Sequence, residues 1–482
     1  MQKLERFVGS LARCTSGGIL LAALLVFSAL CGTGASLEYA LDVTVDCDAG
    51  RYAGEESVVY TNPTEEPLDE IFFRLYANGG AMYGGARVKV TGAWFGASPV
   101  STELFNEDTI LMLPLDVPLM PNQTASIRLV FEGEAAPGLG PTATAYGILT
   151  KTEDALTMTA FYPIVAPLID EGWSLDPVFG IGDALFAESA SYDVTLHGAP
   201  DWLPVAPGRL EAHDVDPADT ARFHIEGARD FSIAWVPAST PVTALQTNGI
   251  TLRAYFAAEH QAAATIALED AMRSVAVYSE RIGRLPYSEI NLVEVPLQAA
   301  AGVEFTGLIL IDRGYSALPD DPFFHVIVTH ELAHQWFYAT VGSDPVEAPW
   351  LDEGLATYLS NVALEAGISP GTAESERAAW QRTTDWAQRA YPDLSATSPV
   401  YLFPDNASYS AYAYSAAALE FWRLNQQLGE TTFDKALSVY YTSHRFGIAS
   451  PQELFDAFTE ACGCPARSPL FAGETADRSL GD

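Results

Sequence analysis

Two hydrophobic patterns divide this chain. From Leu37 to about Pro241 apolar and polar residues alternate in short runs. In Leu41-Asp42-Val43-Thr44-Val45-Asp46-Cys47 every odd position is apolar, the period-two signature of a half-buried strand. Similar runs stand at 57–60, 71–76, 127–131, 192–196, 222–225 and 231–236, with turn residues such as Asn62-Pro63, Asn78-Gly79-Gly80 and Pro207-Gly208 between them. The pattern predicts an antiparallel, β-sandwich-like domain over 36–241. After about Thr243 the period lengthens. A strand at 250–256 leads into a helix over 257–282, and strands at 290–295 and 307–311 flank the segment Ala301–Phe305. Apolar positions then recur at helical spacing near 371–390, 409–428, 431–445 and 451–461. The fold class that results is α+β and multidomain: a β-rich first domain, then an α/β domain over 242–482 whose last part, from about 367, is a helical subdomain.

The chemistry gathers on one predicted helix, which Asp320 or Asp321 would cap and Pro322 would open. On it His330 and His334 stand at i and i+4, so both imidazoles project from one face and can share a metal ion. Glu331 lies beside that face, where a carboxylate can take a proton from water. Nineteen residues after His334, within Trp350-Leu351-Asp352-Glu353-Gly354, Glu353 supplies a third donor. Three protein donors leave a fourth position open, which is the catalytic and not the structural zinc pattern. One zinc ion per chain is therefore the expected cofactor. His197, His213, His224, His260, His325 and His444 have no partner at ligand spacing and read as surface or packing residues.

Composition restricts the partners. Among 482 residues, 25 Lys and Arg oppose 62 Asp and Glu, and the net charge of −37 repels nucleic acid and anionic lipid. At the amino end, Lys3, Arg6 and Arg13 precede the apolar run Ile19–Leu30 and the small residues Gly32–Ser36. That layout predicts a signal peptide over 1–35 and an exported protein. The run falls short of the roughly 20 apolar residues of a membrane span, so the only membrane attachment it allows is an N-terminal anchor, through a retained signal or a lipid on Cys31. Cys47, Cys462 and Cys464 remain after the leader, and their pairing is open.

His330-Glu331-Leu332-Ala333-His334, Trp350–Gly354, the preceding Ala301-Gly302-Val303-Glu304-Phe305 and the later Tyr414-Ser415-Ala416-Ala417-Ala418 occur in the order found in gluzincin aminopeptidases of the aminopeptidase N type, including leukotriene A4 hydrolase. The chain resembles that family over nearly all of its mature length. The resemblance implies a thermolysin-like catalytic domain and hydrolysis of the first residue from peptide substrates. It also implies an amine-binding role for Glu304 and an oxyanion-stabilising role for Tyr414, beside the metal donors His330, His334 and Glu353 and the base Glu331. In the family the Glu304 strand reads Gly-x-Met-Glu-Asn; here Ala301, Val303 and Phe305 replace the glycine, methionine and asparagine. That change keeps open a thermolysin-like endopeptidase, an epoxide hydrolase and a catalytically silent binding relative. Most relatives continue into a helical-repeat domain; the end of this sequence at Asp482 predicts a more open cleft.

Overall fold

The computed structural model describes residues 37–139, 146–169, 172–210 and 220–463. The predicted signal peptide, His213 and Cys464 lie outside them. Cys47 is a buried free thiol.

The alternating runs fold as strands because one face of each is buried. Leu37–Asp46 buries every odd residue. It pairs antiparallel with Arg51–Thr61, which pairs with Thr124–Glu134, and Arg87–Phe95 continues the sheet beyond. On its other edge Leu37–Asp46 pairs with Ala190–His197, and here the strands run parallel, with Leu41 opposite Val194. The expected purely antiparallel sheet thus has one parallel seam. The long excursion between the two strands lets the chain re-enter in the same direction, a connection that alternation alone cannot reveal. Two smaller sheets, one built around Leu68–Arg74 and Ile110–Leu119 and one around Ile233–Pro237, and a two-stranded ribbon of Leu168–Ile169 and Gly172–Trp173 complete the β-rich part. Its core holds stacked Tyr39 and Tyr192, with ring centroids 4.8 Å apart, and the Tyr162 hydroxyl donates to that of Tyr192 at 3.0 Å. Glu56 is fully buried in the same region, and neither carboxyl oxygen has a hydrogen-bond partner. Burial pushes its pKa well above the usual carboxylate value.

A five-stranded mixed sheet follows, in the order Val242–Thr247, Ile250–Tyr255, Glu289–Val295, Leu308–Asp312 and Gly302–Phe305. The parallel neighbours Ile250–Tyr255 and Glu289–Val295 are joined through the helix Gln261–Arg281, a βαβ crossover. Gly302–Phe305 is the edge strand, antiparallel to Leu308–Asp312, with Glu304 opposite Ile309. The helix Pro322–Ala333 begins where Asp321 accepts from the Phe323 amide at 3.0 Å. It packs on Gln261–Arg281, where the Tyr278 hydroxyl donates to the Thr329 carbonyl. The remaining helices of more than ten residues are Glu353–Ala363, Pro370–Ala390, Ala417–Leu428, Glu430–Ser443 and Pro451–Cys462, close to the predicted stretches. Among the described residues no helix is long and apolar enough to cross a membrane.

Candidate metal centre

His334 closes the helix Pro322–Ala333 with right-handed helical backbone angles, so the i, i+4 alignment with His330 survives to the helix end. Glu353 opens the next helix, and the glycine after it has a packing reason. A Cβ on Gly354 would stand 2.6 Å from Cβ of Ala417, so only glycine lets the helix Ala417–Leu428 approach this closely. That approach brings the preceding turns of π-helix, Ser410–Ala416, over Glu353, and with them Tyr414. Such turns widen the helix and re-aim a side chain, a device frequent at functional sites.

Three donor atoms converge. Nε2 of His330 is 3.1 Å from Nε2 of His334 and 3.1 Å from Oε2 of Glu353, and the third edge, His334 to Glu353, is 3.5 Å. Tetrahedral ligands about 2.0–2.1 Å from a zinc ion are separated by about 3.3–3.4 Å, so the triangle has the dimensions of a zinc face. All three side chains are largely buried. The donor set, two imidazoles and a carboxylate, fits zinc chemically as well. Burial works against the Glu353 carboxylate, but the hydrogen bonds from both histidines hold its pKa below the usual range. A carboxylate that stays ionised is what a dication requires.

Outside the triangle, Nδ1 of His334 lies 2.5 Å from Oδ1 of Asp352 and 3.2 Å from the Phe337 carbonyl. A buried carboxylate on the far nitrogen fixes the proton there and leaves Nε2 free to bind metal. The sequence reading gave Asp352 no role, although it adjoins Glu353; what singles it out is its placement beneath His334. Thr357, one turn after Glu353, reaches Nδ1 of His330 at 3.4 Å. Ser360 contacts the Thr329 hydroxyl at 2.7 Å.

Tyr414 donates its hydroxyl to Oε1 of Glu353 and lies flat against His330, with ring centroids 5.7 Å apart. Glu331 is 6% exposed, and its Oε2 is buried with no hydrogen-bond partner. Burial, reinforced by the neighbouring Glu304, raises its pKa. A Cβ on Gly302 would meet Cγ of Glu331 at 2.6 Å, so the edge strand makes room for this carboxylate. Glu304 itself is 7% exposed. Burial, eased by His334 and reinforced by Asp352 and Glu353, pushes its pKa up to about 8. All six residues singled out from the sequence therefore meet at one place.

A seventh comes from the β-rich part. Asp183 reaches the site, and burial with the charges of Glu304, Glu353 and Asp352 raises its pKa well above the usual value. No local motif marks Gly182-Asp183, and only the packing of distant segments brings it here. The other described histidines pair with carboxylates away from the site: His325 with Asp270 at 2.5 Å, His260 with Glu294 at 2.8 Å, His224 with Asp193 at 2.7 Å, His197 with Asp42 at 3.1 Å and His444 with Glu453 at 3.5 Å.

Comparison with known proteins agrees with this geometry. Residues 266–470 match the peptidase family M1 domain. Aminopeptidase M1-A of Oryza sativa subsp. japonica is 24% identical over 455 residues, covering 91% of this chain and 50% of the relative. The alanine/arginine aminopeptidase of Saccharomyces cerevisiae is 31% identical over 193 residues, 37% of this chain and 22% of that protein. The chain thus spans half or less of the length of these curated relatives. Among solved structures, the M1 zinc metallopeptidase of Deinococcus radiodurans superposes with a TM-score of 0.63 at 20% identity, covering 89% of this chain and 92% of that one. A mutant of that enzyme bound to a Tyr-Ser-Ala substrate gives a TM-score of 0.64 at 18% identity. Together with the donor triangle, these matches show a peptidase family M1 domain over residues 266–470 of this chain.

Proposed function

We propose that the protein is a zinc-dependent aminopeptidase that removes the first residue of peptides, with His330, His334 and Glu353 as the metal donors. The single observation that carries this reading is the donor triangle with Glu304 and Glu331 beside it. A zinc ion held there supplies Lewis acidity to the scissile carbonyl and to the attacking water. Glu331 accepts the water's proton and passes it to the departing amine, and its unpaired Oε2 is free to do so. Tyr414 turns its hydroxyl from Glu353 to the carbonyl oxygen as negative charge develops there. Glu304 holds the substrate's α-ammonium by a charge-assisted hydrogen bond, which fixes the cut after the first residue. The leader-like run Ile19–Leu30 supports export as the setting.

The test is turnover of aminoacyl amides and their N-acetylated forms, with and without chelator, by the wild type, Glu331→Gln and Glu304→Ala. The expected result is activity that chelator abolishes, that acetylation abolishes, and that Glu331→Gln lowers by at least 10²-fold. Equal cleavage of acetylated and free substrates would replace the aminopeptidase with an endopeptidase, and full activity in Glu331→Gln would overturn the mechanism.

A further inference from the structure

Just beyond His334 the backbone is strained. Tyr338 has a φ of +128°, a conformation that is costly for an aromatic residue and persists only where its neighbours over-determine it. That angle sets the plane of the peptide bearing the Phe337 carbonyl, which lies 3.2 Å from Nδ1 of His334. Two consecutive residues of the β-rich part, each 1% exposed, hold Tyr338 there. Nε of Arg229 donates to the Tyr338 carbonyl at 2.7 Å, and Oδ2 of Asp230 accepts from the Tyr338 hydroxyl at 3.0 Å. The other guanidinium nitrogens donate to the carbonyls of Ala187 at 2.7 Å and Gly447 at 2.8 Å, so Arg229 ties three segments together. A Cβ on Gly342 would stand 2.2 Å from its guanidinium carbon, so the loop after Tyr338 closes directly on it.

The same Asp230 oxygen reaches the other half of the site. Oδ2 also accepts from the Thr306 amide at 2.9 Å and hydroxyl at 3.0 Å, and the Thr306 hydroxyl accepts in turn from the Arg229 amide at 3.1 Å. Thr306 directly follows the strand Gly302–Phe305, two residues beyond Glu304. Oδ1 accepts from the Ser232 hydroxyl at 2.8 Å. A buried carboxylate with four such donors is a rigid joint, because loosening any of them leaves a buried polar group unpaired. Resting on the aminopeptidase reading for its second branch, we propose that Asp230, braced by Arg229, is a positioning residue for both halves of the centre. Through Tyr338 it aims the Phe337 carbonyl at His334 and keeps Nε2 in the donor triangle. Through Thr306 it places Glu304 for the substrate's α-ammonium.

The experiment separates the two branches in the wild type, Tyr338→Phe, Thr306→Val, Asp230→Ala and Asp230→Asn. Competition with a chromophoric chelator gives zinc affinity, and thermal melting of the metal-free protein reports on the fold. KM and kcat are measured at saturating zinc on the fastest of a panel of aminoacyl p-nitroanilides. Tyr338→Phe is expected to weaken zinc binding by about three- to tenfold with KM within about twofold of wild type. Thr306→Val is expected to raise KM by about three- to tenfold with zinc affinity within about twofold. Asp230→Ala shows both losses, and Asp230→Asn, which keeps an acceptor oxygen, recovers part of each. A role in stability alone would lower the melting temperatures and leave zinc affinity in Tyr338→Phe and KM in Thr306→Val at wild-type values; that result overturns the proposal whether or not Asp230→Ala folds. A wild type that binds zinc but cleaves no anilide overturns the aminopeptidase reading and the Glu304 branch with it, while the zinc affinity of Tyr338→Phe still decides the His334 branch.

Discussion

Asp352 offers a direct way to weigh the support beneath the metal site. Its Oδ1 lies 2.5 Å from Nδ1 of His334, and Asp352→Ala leaves only the Phe337 carbonyl, at 3.2 Å, to receive that proton. The lost bond is charge-assisted and shut away from water, since Asp352 is 4% exposed and His334 fully buried. Hydrogen bonds to charged groups contribute about 1.5–3 kcal/mol. The carbonyl retains part of this, so the expected loss of zinc affinity is about 10–100-fold, the usual range for partners of a metal-bound histidine. Competition with a chromophoric chelator at pH 7.5 measures it, and thermal melting of the metal-free protein reports separately on the fold. Asp352→Asn keeps an acceptor without the charge and should fall between Asp352→Ala and the wild type. Zinc affinity within twofold of wild type in Asp352→Ala would show that the carboxylate does not orient His334. An equal loss in Asp352→Ala and Asp352→Asn would show that charge alone matters.

Tyr414→Phe preserves the ring against His330 but removes the hydroxyl, and is expected to lower kcat by about 10²–10³-fold with KM changed less than threefold; steady-state kinetics showing a loss mainly in KM would reassign the residue to binding. Gln335→Ala strips two buried hydrogen bonds from the edge-strand backbone, to the Phe305 carbonyl at 3.0 Å and from the Gly307 amide at 2.8 Å, and should cost about 2–4 kcal/mol in denaturant unfolding. Glu56→Leu replaces an unpartnered acid in the core and should stabilise the metal-free protein by about 1–3 kcal/mol at pH 7.5. Because the folded pKa of Glu56 lies above its unfolded value, near 4.5, the unfolded chain releases this proton first and stability falls as pH rises through that value. The gain from Glu56→Leu must therefore shrink at pH 4.5, and a gain independent of pH would place the ionisation elsewhere.

Features written into neighbouring residues were legible in the sequence. The pair His330 and His334 and a cap at Asp320 or Asp321 depend on spacing along one helix, and the strand Leu37–Asp46 and the 57–60 part of Arg51–Thr61 on alternation along one segment. Features made by chain return were not. The parallel seam between Leu37–Asp46 and Ala190–His197 joins residues about 150 positions apart, and Asp183 meets Glu353 across a similar separation. Glu56 was illegible for another reason: in Glu55-Glu56-Ser57 an acid at a core-facing position looks like its solvated neighbour, and only the sheet's packing shows that one of the two is buried.

The altered strand Ala301–Phe305 shows how a motif can change around a fixed carboxylate. Glu304 is placed by backbone, because its strand pairs with Leu308–Asp312 and is gripped beyond its end by side chains outside the motif. Gln335, the residue directly after His334, bonds both the Phe305 carbonyl and the Gly307 amide. Oδ2 of Asp230 accepts from the Thr306 amide and hydroxyl at 2.9 and 3.0 Å. The segment that carries the two histidine donors therefore also holds the end of the strand that carries Glu304. Replacement of side chains at 301, 303 and 305 leaves these bonds intact, since none of them uses those side chains. What it alters is the lining, because Val303 and Phe305 both face the cavity that Asp183 shares. The side chains around Glu304 thus depart from the family pattern, and the carboxylate that would hold the amine keeps its place.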